Sequence, residues 1–129
     1  MSKRILIVED DPSSRKMLSI FVRSIYPDTE IFPFTSAEDA YRFLENEYKE
    51  KRGIHLAVID IYLAGPGTGL DLFEACVKKF GKTRVLMTSS LSLQDFFAAA
   101  GSGEKGPVFL TKPYSPSLCR EAISEALSR

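Results

Sequence analysis

Four short runs of this chain are apolar at every position: Ile5-Leu6-Ile7-Val8, Leu56-Ala57-Val58-Ile59, Val85-Leu86-Met87 and Val108-Phe109-Leu110. A strand with one wet face alternates apolar and polar side chains, because successive Cβ atoms point to opposite sides of the sheet. Runs without that alternation are expected of parallel strands covered on both faces. A fifth, weaker strand around Thr29–Phe34 carries Pro33, which has no N–H for a ladder and suits only an edge or a strand end.

Segments of helical period lie between the runs. Met17, Leu18, Phe21 and Ile25 form one face of a helix from about Ser13 to Ile25. Ala40, Phe43, Leu44 and Tyr48 form a second, with Thr35 or Ser36 as its cap. Leu70, Phe73, Cys76, Val77 and Phe80 make a third; Cys119, Ala122, Ile123, Ala126 and Leu127 make the last, opened by Ser115 and Pro116. A shorter helix is expected near Ser92–Ala100, followed by the Gly-rich stretch Gly101–Gly106. Five β-α repeats read as an α/β doubly wound fold: a five-stranded parallel sheet of order 2-1-3-4-5, a flavodoxin-like (βα)5 three-layer sandwich. With 129 residues and no break in composition, residues 1–129 are expected to form a single domain.

Charge narrows the function classes. Lys+Arg and Asp+Glu number 17 each, whereas binders of nucleic acid or anionic membranes carry a basic excess. No apolar run approaches a membrane span, and the start MSKRILIVEDD lacks signal-peptide architecture. Cys76 and Cys119 show no metal-ligand spacing, so buried, reduced thiols are expected. The expectation is a cytoplasmic protein with no direct nucleic-acid or membrane partner.

In doubly wound sheets, ligands bind beyond the carboxyl ends of the strands, where the strand order reverses. Glu9, Asp10 and Asp11 follow the first strand; Asp60 ends the third; Thr88, Ser89 and Ser90 end the fourth; Lys112-Pro113 ends the fifth. Carboxylates, hydroxyls and a lysine thus converge on one edge. Two carboxylates about 4 Å apart repel by roughly 4 kcal/mol at an effective dielectric of 20, so such a pocket recruits a cation or a proton. Oxygen ligands without His or Cys favour a hard ion such as Mg²⁺. Phosphoryl transfer is the chemistry that uses one, and a carboxylate can serve as its nucleophile.

ILIVEDD, AVID, VLMTSS and FLTKP, in this order and spacing, resemble the receiver domain of bacterial response regulators, over essentially the whole chain. The resemblance implies that Asp60 is the phosphoacceptor. It implies that Glu9 and Asp10 hold Mg²⁺, Asp10 directly and Glu9 through water, with the backbone carbonyl of Tyr62 as a further ligand. Ser89 would be the hydroxyl switch residue, preferred over Thr88 because it stands at the strand tip. Lys112 would neutralise a phosphoryl oxygen, its bond to Pro113 would be cis, and Phe109 would be the aromatic switch. Implied partners are a histidine kinase or phosphotransfer protein as donor and a downstream protein or fused output domain, with room for a homodimer on activation. Such a domain is not an enzyme beyond phosphorylating and dephosphorylating itself.

The chain departs from the family pattern at Ala64, where proline is usual, in a loop one residue longer, Gly65-Pro66-Gly67-Thr68-Gly69, and in Gly101–Pro107. Asp11 before Pro12 reads as a helix cap, His55 stands far from the active edge, and one of Phe96 and Phe97 reads as a surface contact. Two other functions use similar residues. An aspartate-nucleophile phosphohydrolase wants a second Asp two residues after the nucleophile, where this chain has Tyr62. A receiver-like interaction module that is never phosphorylated would not need the intact acidic set.

Overall fold

The computed structural model describes residues 2–63, 68–89 and 107–129. Five strands, β1 (Arg4–Val8), β2 (Glu30–Phe34), β3 (Leu56–Asp60), β4 (Arg84–Ser89) and β5 (Val108–Thr111), form one parallel sheet in the order β2-β1-β3-β4-β5. Four helices are described: α1 (Pro12–Ile25), α2 (Ala37–Lys49), α3 (Gly69–Lys78) and α4 (Pro116–Ser128). This is the doubly wound three-layer sandwich expected. The helix expected near Ser92–Ala100, the aromatic pair Phe96 and Phe97, and the loop residues Ala64–Gly67 lie outside the described residues.

The unbroken apolar runs have their expected cause. Ile5 and Ile7 face α1 and α4 with Leu56, Val58, Leu86, Val108 and Leu110. Leu6 and Val8 face α2 and α3 with Ala57, Ile59 and Met87. Side chains of odd and even position enter different cores, so neither phase of the strand meets water. Pro33 is tolerated because β2 is an edge strand paired only with β1, where it lies opposite Ile7. Cys76 and Cys119 are buried and free, and burial raises both thiols, to about 12 and about 11.

The helix starts are specified locally. Asp11, Ser36 and Ser115 each cap a helix by accepting a backbone N–H three residues on. Thr68 and Asp71 form a reciprocal capping box at α3. Because β1 and β3 run parallel, their carboxyl ends lie at the same edge of the sheet.

Candidate functional site

Glu9, Asp10 and Asp60 meet at that edge because β1 and β3 are neighbours. Val8 pairs with Ile59, so Glu9, just past β1, and Asp60, the last residue of β3, stand side by side. One carboxylate oxygen from each of the three acids lies within 4.8 Å of the others. Among the described residues this is the group of acids able to hold a metal ion.

Lys112 enters the cluster from β5. Its N–H donates to the Ser89 carbonyl at 2.8 Å, which fixes the end of β5 against the tip of β4. Its Nζ then lies 2.6 Å from Glu9 Oε1 and 3.0 Å from Asp60 Oδ2. The peptide bond from Lys112 to Pro113 is cis. Asp60 Oδ1 accepts the Tyr62 N–H at 3.0 Å, so both oxygens of Asp60 are held. The Asp11 N–H reaches Glu9 Oε2 at 3.3 Å, and Arg15 Nη1 donates to the Glu9 carbonyl oxygen at 2.8 Å.

Electrostatics follow from this crowding. Glu9 is fully buried, and burial, reinforced by neighbouring Asp60, raises its carboxyl to about 7 although Lys112 pulls the other way. Burial works to lower Lys112, but its hydrogen bonds to Glu9 and Asp60 outweigh that and hold the ammonium above its ordinary range. The site therefore carries its own counter-cation. A divalent ion fits the donor set of hard oxygens without His or Cys.

Each residue proposed from the sequence can now be placed. Glu9, Asp10, Asp60 and Lys112 come together. Ser89 is the last residue of β4 and is fully buried, one step beyond Thr88, which pairs with Asp60. Phe109 pairs with Met87 and is half-buried against the α2–α3 core. Tyr62 leaves its ring exposed and turns its backbone to Asp60. Sequence reasoning missed Tyr114, whose buried hydroxyl lies 3.5 Å from Glu9 Oε1. It also missed Arg15. A tyrosine two residues after the lysine was the only signal for the first.

The chain matches the response regulator receiver domain family over residues 5–124 and belongs to it. Members are phosphoryl-accepting signalling modules of two-component systems, with Mg²⁺ at an acidic pocket and with kinase or phosphotransfer partners and output domains. Solved structures share the fold from end to end. The signal receiver domain of a Luxo repressor protein from Vibrio parahaemolyticus is 22% identical with a TM-score of 0.77, over 100% of this chain and 92% of that one. A CheY-like receiver domain from Methanospirillum hungatei is 25% identical with a TM-score of 0.74, over 99% and 95%. The receiver domain of DrrB, a Thermotoga maritima OmpR/PhoB homologue, in its BeF3-activated form is 22% identical with a TM-score of 0.74, over 100% of both chains. The curated proteins give no significant match. No helix among the described residues is long and apolar enough to cross a membrane.

Proposed function

We propose that residues 1–129 act as one receiver unit that takes a phosphoryl group onto Asp60 from a histidine kinase or a phosphotransfer protein. The observation that carries this reading is the meeting of Glu9, Asp10 and Asp60 within 4.8 Å with Lys112 bridging two of them. An Asp60 carboxylate oxygen attacks phosphorus, the bond from phosphorus to the donor imidazole breaks, and the imidazole leaves with the electron pair and takes a proton. Asp10 and Asp60 would hold Mg²⁺ directly, Glu9 through water and Tyr62 through its backbone carbonyl; the ion supplies neutralisation of charge on the phosphoryl oxygens.

The chain's own groups do the rest. The Tyr62 N–H orients Asp60 through Oδ1. Lys112 exchanges Asp60 Oδ2 for a phosphoryl oxygen, so its charge stays compensated throughout. Ser89 then bonds the phosphoryl group, drawing on the segment that follows β4, and Phe109 turns with it. The new contacts favour one conformation over the other, which is what a population switch requires. A downstream protein or a fused output domain reads that shift, and a homodimer on activation is one form the readout takes. A cytoplasmic setting fits this exchange with kinases.

Tyr62, in place of a second aspartate, weighs against an aspartate-nucleophile phosphohydrolase. Incubation with Mg²⁺ and a small acyl phosphate tests the reading. We expect one phosphoryl group per chain, followed by slow loss. Repeated turnover of a phosphoester would instead define the hydrolase, and no labelling at all would define a module that is never phosphorylated.

A further inference from the structure

We propose that the Tyr114 hydroxyl is a positioning group for Glu9: a buried donor that holds Glu9 Oε1 from the protein side and so sets how tightly the acidic cluster takes up a divalent cation. This rests on the reading of Glu9, Asp10 and Asp60 as the cation-holding set.

Tyr114 is 8% exposed, and its ring belongs to the core between the sheet and helices α1 and α4, among Ile7, Val58, Leu110 and Ile123. That packing leaves the ring little freedom. Its hydroxyl lies 3.5 Å from Glu9 Oε1 in buried surroundings. A buried phenol needs a polar partner. Thr88 Oγ1, also fully buried, meets no partner at hydrogen-bonding geometry among the described residues, although it stands near enough to the Tyr114 phenol to influence it. A pocket of polar groups therefore lies behind the acids, and the carboxylate is its charged member. A phenol carries its proton at ordinary pH, so it is available as a donor.

The placement matters because Glu9 Oε1 is also the oxygen that Lys112 holds at 2.6 Å. When Lys112 exchanges Asp60 Oδ2 for a phosphoryl oxygen, Oε1 shares its cationic partner with a more highly charged anion. The Tyr114 hydroxyl remains on the far side, against a rigid core. Glu9 has three side-chain torsions, and groups that orient a metal-binding carboxylate from behind are worth roughly 10–100-fold in affinity. The 3.5 Å separation puts this one at or below the low end of that range.

The test measures Mg²⁺ binding by calorimetry on the intact chain, on Tyr114→Phe, on Glu9→Asp and on the double variant, with metal-free thermal unfolding alongside. Tyr114→Phe keeps the ring and removes only the donor. We expect it to weaken Mg²⁺ about three- to tenfold at an unchanged melting temperature. In the Glu9→Asp background, whose shorter side chain draws the carboxylate away from the hydroxyl, the same substitution should change affinity less than about twofold. Unchanged affinity in Tyr114→Phe, or an equal loss in both backgrounds, would overturn the inference alone. A wild-type chain that takes up no Mg²⁺ would overturn the cation reading, and the inference with it.

Discussion

Lys112 and Glu9 form an ion pair almost sealed from solvent: Nζ stands 2.6 Å from Oε1, with the glutamate side chain 1% exposed. Lys112 is thus a counter-charge built into the acidic pocket. Removing one partner of a buried pair costs more than the pair is worth, because the other is left uncompensated.

Lys112→Ala should therefore lower metal-free stability by about 2 kcal/mol, less than for a sealed pair because the lysine end is partly exposed and Glu9 can take up a proton. Mg²⁺ should restore part of the loss, since it replaces the missing positive charge. Urea unfolding with and without Mg²⁺ measures both. Equal losses in the two conditions would show that Lys112 serves packing rather than charge.

Gly69 is the first residue of α3 and presses against the backbone of the proposed acceptor. A Cβ there would lie 2.1 Å from the Asp60 carbonyl oxygen and 2.7 Å from Ile61 Cα. Both are backbone atoms, which cannot step aside as a side chain does. Gly69→Ala should destabilise the fold by about 3 kcal/mol. Below its melting temperature, the folded variant should still accept phosphoryl groups more slowly than the wild type, because the strain falls on Asp60 itself. Parallel unfolding and labelling measurements separate the two effects.

At the opposite end of the sheet, buried Glu47 pairs with Arg4 and with Arg52, the latter at 2.9 Å. The hydrogen bonds from Arg52, assisted by Arg4, hold its carboxyl near 2, well below its ordinary 4.5. The folded state thus binds fewer protons than the unfolded state between those values. The stabilisation is complete above pH 4.5 and is lost as pH falls toward 2. Glu47→Gln should cost about 2 kcal/mol near neutrality, because half-exposed Arg52 is easily resolvated. It should also flatten this acid limb of the stability profile, as followed by chemical unfolding across pH.

The architecture was legible because burial on both faces leaves an unmistakable trace, as in Ile5–Val8 and Leu56–Ile59, each of whose residues is fully buried. Pro33 marked the edge strand for an equally local reason. The acids and Lys112 were legible because strand ends are places that topology brings together. Tyr114 was not, since its contact with Glu9 depends on how a ring packs across 105 residues of sequence separation. Nor was the part played by His55. Its Nδ1 accepts the Arg4 N–H at 3.0 Å, which makes it a structural acceptor at the far edge rather than a participant at the site. Gly69 read only as part of a glycine-rich loop, because a close backbone approach leaves no mark on periodicity.

Asp60 as the phosphoacceptor is the claim on which the functional account depends, and it is tested most directly by locating the label. Wild-type chain and Asp60→Asn are exposed to Mg²⁺ and a small acyl phosphate, and mass spectrometry reads the intact mass and the modified position. The account predicts one phosphoryl group per wild-type chain, carried at position 60, and none on Asp60→Asn with an unchanged fold. Labelling of Asp60→Asn to the wild-type extent would contradict it.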